Sequence, residues 1–236
     1  MSTTSFKFND AAYNTNSAKR VIPFLTDKFK IASVIDIGCG TGTWLAVAKE
    51  NGIDDIVGLD GAYVDRSLLH IEKDLFKEQD LSKIFDLKRK FDMAFCLEVA
   101  EHIDAANADN LVASIVNHAD LILFSAAIPG QEGEGHINEQ WVDYWIEKFK
   151  KHNFVFYDIM RPQFWNDSNV EWWYKQNMFI VAREGYLPLM EKTTIYQYIH
   201  PDLFTRRKEL LEKYTKGKIP VLDAAKILVK TFLNLF

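Results

Sequence analysis

The segment Val34-Ile35-Asp36-Ile37-Gly38-Cys39-Gly40-Thr41-Gly42 constrains this chain more than any other. Its apolar, β-branched start reads as a buried strand, and Thr43–Asn51 reads as a helix after it. Between them, glycines at alternate positions allow a tight turn and let backbone approach a ligand without Cβ interference. A strand that turns through glycine into a helix is the opening unit of an α/β domain. A dinucleotide fingerprint needs its third glycine at position 43, where the chain has Thr43. Pyrophosphate cradling, and with it a nicotinamide oxidoreductase, is therefore disfavoured. Asp36 points the same way, because a carboxylate before the loop repels a phosphate and attracts a cationic or amine-bearing ligand.

The alternation continues along the chain. Ser33–Gly38, Asp55–Leu59, Leu69–Lys73, Asp92–Leu97 and Leu121–Ser125 read as strands. Thr43–Asn51, Leu81–Leu87, Ala105–His118 and Glu139–His152 read as the helices between them. Asn153–Met160 and Asn177–Ala182 add two more strands, which predicts a sheet of about seven, mostly parallel, with helices on both faces. With 17 Phe, 9 Tyr and 6 Trp the chain has ample core material. Its 28 Lys and Arg against 33 Asp and Glu give a net charge of −5, a poor match to duplex nucleic acid. Two cysteines exclude a disulfide scaffold, and no run of ~18 apolar residues or apolar leader appears, so the expected compartment is the cytoplasm.

Two more carboxylates follow in order. Asp60, at the end of the second strand, can accept hydrogen bonds from both hydroxyls of a ribose. Asp74, read as following the third strand, can accept from an adenine amino group, with Leu75 or Phe76 flanking the ring. With the glycine loop ahead of them, these motifs resemble the class I S-adenosylmethionine-dependent methyltransferases from about Val34 to Ser125. The resemblance implies a Rossmann-like fold with a reversed last strand, and S-adenosylmethionine as cofactor. It implies that Asp36, Gly38, Cys39, Gly40 and Gly42 hold the methionine part, Asp60 the ribose, and Asp74 and Leu75 the adenine end. Tyr13, in a lid segment ahead of the first helix, is expected to contact the cofactor.

The resemblance also puts the end of the fourth strand, Glu98-Val99-Ala100-Glu101-His102, over the sulfonium, so Glu98 is expected to touch both cofactor and acceptor. The Asn/Asp-Pro-Pro-aromatic pattern of amino-methylating nucleic-acid enzymes is missing, and so is a Pro-Cys nucleophile, which leaves Cys96 as a buried strand residue. Glu98, Glu101 and His102 form a Glu-x-x-Glu-His that resembles the divalent-cation site of some methyltransferases of quinones and small RNAs, where oxygen and imidazole ligands would suit Mg²⁺ or Mn²⁺, and it also resembles a motif of metal-free relatives. With no second ligand cluster to confirm an ion, the expectation is a metal-free site. Further on, Gly130, Gly133 and Gly135 make a mobile loop that His136 closes, before a helix that Asn138 is expected to cap. His136 is the expected base for an acceptor hydroxyl, with His102 as the other candidate.

Aromatic residues gather after this loop. Trp141, Tyr144 and Trp145 sit at helical spacing, whereas Trp165 to Asn177 lacks one clear period and reads in part as the wall of an acceptor pocket. The segments GHINEQWVDYW and VEWWYKQNMF resemble those of methyltransferases of bacterial surface-glycan and small-molecule biosynthesis. The expected reaction is methyl transfer to a hydroxyl oxygen of a sugar, a nucleotide-linked sugar or a surface-glycan precursor. The alternatives are a small-metabolite or aromatic O/N-methyltransferase, or a non-catalytic cofactor-binding subunit. Residues 1–200 are expected to form the methyltransferase domain, and 201–236 a helical extension. Its last segment, VLDAAKILVKTFLNLF, is expected to pack on the domain or on a second copy of the chain, forming a homodimer.

Overall fold

A computed structural model of the chain describes residues 14–190, 194–216, 221 and 224–225. Tyr13 lies outside the described residues, as does most of the last apolar segment, on which the expected homodimer rests. The chain divides into two compact units, Met1–Tyr198 and Ile199–Phe236. In the second, α7 (Pro201–Thr215) bears out the helical spacing that begins at Pro201, with Pro in its first turn, where a missing N–H costs nothing.

The first unit holds a sheet of β1 (Ser33–Ile37), β2 (Asp55–Asp60), β3 (Phe76–Glu78), β4 (Met93–Leu97), β5 (Leu121–Ser125), β6 (Phe154–Tyr157) and β7 (Phe179–Arg183). Their order is β3-β2-β1-β4-β5-β7-β6, and only β7 runs against its neighbours. The reversed strand that the family resemblance implies is therefore present. Alternating side chains feed two cores. Val34, Ile56, Phe95 and Leu123 belong to one, with α1 (Asn16–Lys28) and α2 (Thr43–Glu50). Ile35, Val57, Ala94, Ile122 and Phe124 belong to the other, with α3 (Ala108–His118) and α4 (Val142–Lys150). Burial on both faces explains why these strands are near-continuous apolar runs; each fully buried Ile, Leu or Phe contributes about 1.5–3 kcal/mol.

Four expectations are corrected. Leu69–Lys73 is a turn, and the third strand lies later, because Glu72, Lys73 and Asp74 face solvent while Leu75 and Phe76 meet β2. Gly58 N–H donates to Leu75 O at 2.9 Å, which sets that register. Leu81–Leu87 is not helical either. Side chains of α3 accept from its backbone instead, Ser114 Oγ from Phe85 N–H and His118 Nε2 from Leu87 N–H, while Leu81 and Phe85 reach the core. Ala105–Asn107 forms a short 3-10 turn before α3, and α4 starts only at Val142 because Glu139 is engaged in the loop ahead of it. A short helix, α6 (Trp172–Asn177), occupies part of the stretch that lacked a clear period, and another, α5 (Met160–Phe164), lies just before it.

Candidate active site

Parallel strands place their C-terminal ends on one edge of the sheet, and the loops after β1, β2, β4 and β5 gather there. Gly38, Gly40 and Gly42 all take positive φ, the last ending the loop as N-cap of α2. At Gly38 the need for glycine is steric as well, since a Cβ would lie 2.3 Å from Val99 Cγ2. The loop is tied to β2. Gly38 and Cys39 N–H donate to Leu59 O at 2.7 and 3.0 Å, and Gly40 N–H donates to Asp60 Oδ2 at 2.7 Å. The other oxygen of Asp60 accepts from Gly61 N–H at 2.7 Å and from the Tyr63 hydroxyl.

Asp36 shares the face of Val34 and lies one strand from Asp60. Burial, with the neighbouring Asp60 charge behind it, pushes the Asp36 carboxyl up to about 8. Burial also raises Asp60, against the hydrogen bonds from Tyr63, Gly40 and Gly61. Two buried carboxylates that repel each other fit a cationic ligand and would reject an anionic one. Cys39 offers only its backbone, because its sulfur turns inward against Gly58, where a Cβ would come within 2.7 Å of Sγ. Its thiol and that of Cys96 are pushed up by burial, which makes neither a nucleophile.

Asp74 is not brought to this edge. It precedes β3, at the opposite end of the strand from Asp60, and it is exposed. The expectation failed with the strand boundary, since a strand at 69–73 would have put Asp74 at its exit. Gln79 and Asp80 leave β3 at the right end, and Gln79 N–H donates to Asp60 O at 2.8 Å. Asp80 accepts from Ser82 N–H and Oγ at 3.1 and 2.6 Å, forming a turn, and those bonds hold its carboxyl below the usual range.

A second cluster of polar side chains begins at Glu98, whose φ of 54° is rare for a side-chain residue. Its N–H is fixed by Ser125 O and Oγ at 3.1 and 3.0 Å. Its carboxylate accepts from Gln131 Nε2 at 2.7 Å and Asn177 Nδ2 at 3.1 Å. Asn177 also donates to Gln131 Oε1 at 2.8 Å, and Gln176 donates to Asn177 Oδ1 at 3.0 Å. Burial raises Glu98 and these amides lower it. Asn177 and Gln176 also line a cleft with Trp141, Trp145, Phe179 and Tyr198. Inside it Arg161 is held by both oxygens of Asp158, at 2.9 and 2.6 Å, which neutralises the only guanidinium lining the cleft.

Beside this network Glu101, His102 and His136 converge, each with a ligand atom within 4.8 Å of the others. Glu101 is fully buried, and neither carboxylate oxygen makes a hydrogen bond; the amides of Glu101 and Ala127 only polarise it. Burial, then the charge of Glu98, pushes its carboxyl well up. The loop is fastened above it: Ile137 and Asn138 N–H donate to Glu101 O at 2.9 and 3.0 Å. Asn138 is thus buried against Glu101 and does not cap α4, whose N-cap is Trp141. Glu139 accepts from Gly130 and Glu132 N–H at 2.7 and 2.6 Å and from His136 Nδ1 at 2.8 Å. His102 Nδ1 donates to Gly135 O at 3.2 Å, and burial, then His136, lowers its imidazole to about 4. The two rings meet edge to face at 4.9 Å.

Gln131, Glu139 and Asp80 escape sequence reasoning. A loop rich in Gly, Glu and Gln gives no signal of which member turns inward; for Asp80, the Asp-Leu-Ser turn pattern after a short apolar pair was the available clue.

A family model described as a methyltransferase domain matches residues 11–179. The ribosomal RNA large subunit methyltransferase E of Caulobacter sp. (strain K31) is 38% identical over 65 residues, which are 26% of this chain and 28% of that protein. The chain thus matches little more than a quarter of that relative's length. Among solved structures, the sugar N-methyltransferase KedS8 from Streptoalloteichus sp ATCC 53650 is similar with a TM-score of 0.57 at 15% identity, over 78% of this chain and 98% of that one. The magnesium protoporphyrin IX methyltransferase from Synechocystis PCC 6803 is similar with a TM-score of 0.54 at 17% identity, over 73% and 81%.

Proposed function

The chain belongs to the methyltransferase domain family, and we propose that it moves a methyl group from S-adenosylmethionine to a hydroxyl oxygen of a sugar, a nucleotide-linked sugar or a surface-glycan precursor. S-Adenosylmethionine supplies, when bound, a methyl group activated on a sulfonium. The residues present fit that donor. Asp36 and Asp60 would hold its ammonium and ribose ends, the latter on the oxygen that accepts from the Tyr63 hydroxyl. The backbone of Gly38, Cys39, Gly40 and Gly42 would hold the methionine part, and Asp80 stands in place of Asp74 as the acidic group at the exit of β3.

The observation that carries the hydroxyl acceptor is the cluster of Glu101, His102 and His136 at the exit of β4. An alcohol must lose its proton as its oxygen forms the bond to the methyl carbon, and an imidazole next to a carboxylate is suited to that work. His136 is the leading candidate, since Glu139 orients it through Nδ1. Sugar is supported by the cleft wall, where flat Trp141 and Tyr198 stand beside the amides of Gln176 and Asn177. Glu98 ties that wall to the donor side through Gln131 and Asn177.

Calorimetric titration with S-adenosylhomocysteine tests the donor site, with micromolar affinity expected. A panel of sugars and sugar nucleotides with isotopically labelled methyl donor then tests the acceptor. Label recovered as a sugar ether supports the reading. Label found only on amines, or none with any sugar, overturns the acceptor while leaving the family assignment intact.

A further inference from the structure

We infer that α7 docks on an anionic lipid surface, its exposed apolar edge entering the bilayer while the basic residues beside it meet the headgroups. The inference goes beyond the proposed function and does not rest on it. It also departs from the expectation, drawn from sequence, that this part of the chain packs on the domain or on a second copy.

The first observation is how α7 is stabilised. A helix in a folded protein usually depends on burying one face. Of the fifteen residues of Pro201–Thr215, however, only Leu203 is buried. The helix is supported locally instead. His200 Nδ1 accepts from Asp202 N–H at 3.2 Å, Pro201 opens the first turn, and Lys216 Nζ pairs with Glu212 at 3.0 Å. It therefore forms without committing most of its apolar side chains to packing.

The second observation is what that side presents. Leu203 and Leu210, seven residues apart, form one edge and are buried and half-buried. Phe204 and Leu211 form the next edge and are 67% and 64% exposed. At ~100° per residue, Arg207 and Lys208 fall ~50° to either side of that second edge, while Asp202, Glu209 and Glu212 lie ~90° or more away from it. Exposed apolar side chains with cations on both flanks, and acids kept clear, are the pattern of a helix that lies in a membrane interface.

The third observation is the distribution of charge. Residues 199–236 carry eight Lys and Arg against four Asp and Glu, whereas residues 1–198 carry 20 against 29. The sign thus reverses at the boundary between the two compact units. Residues 219–236 add twelve apolar side chains and a single acid, Asp223.

These features select among occupants of the edge. A nucleic acid matches the cations but offers little to Phe204 and Leu211. A second copy offers apolar surface, but it would bring like charges together at Arg207 and Lys208. An anionic bilayer supplies phosphate for the one set and hydrocarbon for the other. Among the described residues no helix is long and apolar enough to cross a membrane, so the contact is with its surface. Docking there would restrict the first unit to acceptors displayed at that surface.

The test mixes the full-length protein with vesicles of phosphatidylcholine, alone or blended with phosphatidylglycerol, and sediments them. Binding at least ~tenfold stronger to the blended vesicles is expected, weakening as salt is raised. Arg207→Glu with Lys208→Glu, and Phe204→Ser with Leu211→Ser, should each lower that binding by ~tenfold or more, with the melting temperature reporting whether each variant is folded. A second readout needs no loss of function. Because Cys39 and Cys96 are buried, Leu211→Cys can be labelled selectively with an environment-sensitive dye, whose emission should shift to the blue on blended vesicles. No binding of folded wild type to blended vesicles overturns the inference, as does equal binding to both kinds. Binding that neither double variant reduces, or a dye that stays in water on the vesicles, removes α7 from the contact and overturns it too. Self-association that Phe204→Ser with Leu211→Ser abolishes, without vesicle binding, would show that a second copy covers the edge instead.

Discussion

Asp60 is held by Gly40, Gly61 and Tyr63, which lie 20, 1 and 3 residues away along the chain. Glu98 is held by Gln131 and Asn177, 33 and 79 residues away. Both carboxylates sit at strand exits on the same edge of the sheet, yet the first belongs to a local device and the second exists only once the whole sheet has closed. Asn177 stands just ahead of the reversed strand β7, which returns the chain beside β5, so the amide reaches Glu98 by topology rather than by proximity in sequence. The proposed donor side is thus built from backbone and short loops, the proposed acceptor side from side chains carried in by distant elements.

That difference orders the effects of mutation. The largest is expected at His136. Its replacement by Ala should lower turnover by ~10²–10⁴-fold, as loss of a positioned base implies, and leave S-adenosylhomocysteine affinity within about twofold. Steady-state kinetics on a labelled acceptor beside calorimetry separates the two readouts. An affinity loss as large as the rate loss would break the division between the sides. Asp60→Ala comes next and should do the reverse, losing ~100-fold in S-adenosylhomocysteine affinity as two charge-assisted hydrogen bonds to ribose and the brace on Gly40 disappear.

Asn177→Ala sharpens the comparison from the structural side. It removes one donor from Glu98 and one from Gln131 while both remain buried or half-buried. A loss of ~1–3 kcal/mol in stability is expected, seen as a lower melting temperature, with cofactor affinity little changed. A melting temperature equal to wild type would show that water replaces the amide and that the network is not a structural tie between α6 and β4.

How far each side was legible follows from the same distinction. The strands β1, β2, β4 and β5 are runs of buried apolar residues, and the glycine loop has a spacing that few other structures need, so the placement of Asp36 in β1 and of Asp60 at the exit of β2 was readable from the sequence. Strand β3 was not. It has three residues, and its register is set by pairing with β2 rather than by any pattern of its own, so Leu69–Lys73 with its better alternation was the natural choice. That slip put Asp74 at the exit of β3, where Asp80 stands. On the acceptor side the sequence displayed Glu98, His102 and His136, but not that Glu139 fixes one ring or that Glu101 lies bare beneath it. A polar loop residue acquires such a role only from partners that the fold brings to it.

The smallest effect concerns Asp36 and can be worked out in sign. Its carboxyl titrates near its ordinary 3.8 in the unfolded chain and at about 8 in the folded, cofactor-free protein, because it is buried and stands beside Asp60. Below pH ~4 both states hold the proton, so the group contributes nothing to pH dependence. Between ~4 and ~8 the folded state binds more protons than the unfolded one, and stability therefore falls as pH rises through that range, levelling off above it. Denaturant titrations at several pH values should show this decline, and Asp36→Asn should flatten it in part, since Asp60 shifts in the same direction. The cofactor's ammonium should reverse the balance by stabilising the carboxylate. At pH 7 Asp36 is mostly protonated before binding, so uptake of S-adenosylhomocysteine should release a fraction of a proton. The binding heat should then vary with the ionisation enthalpy of the buffer, and Asp36→Asn should remove that dependence. A buffer-independent heat in wild type would mean that the ammonium is bound elsewhere, and that the carboxylate in β1 only braces the glycine loop.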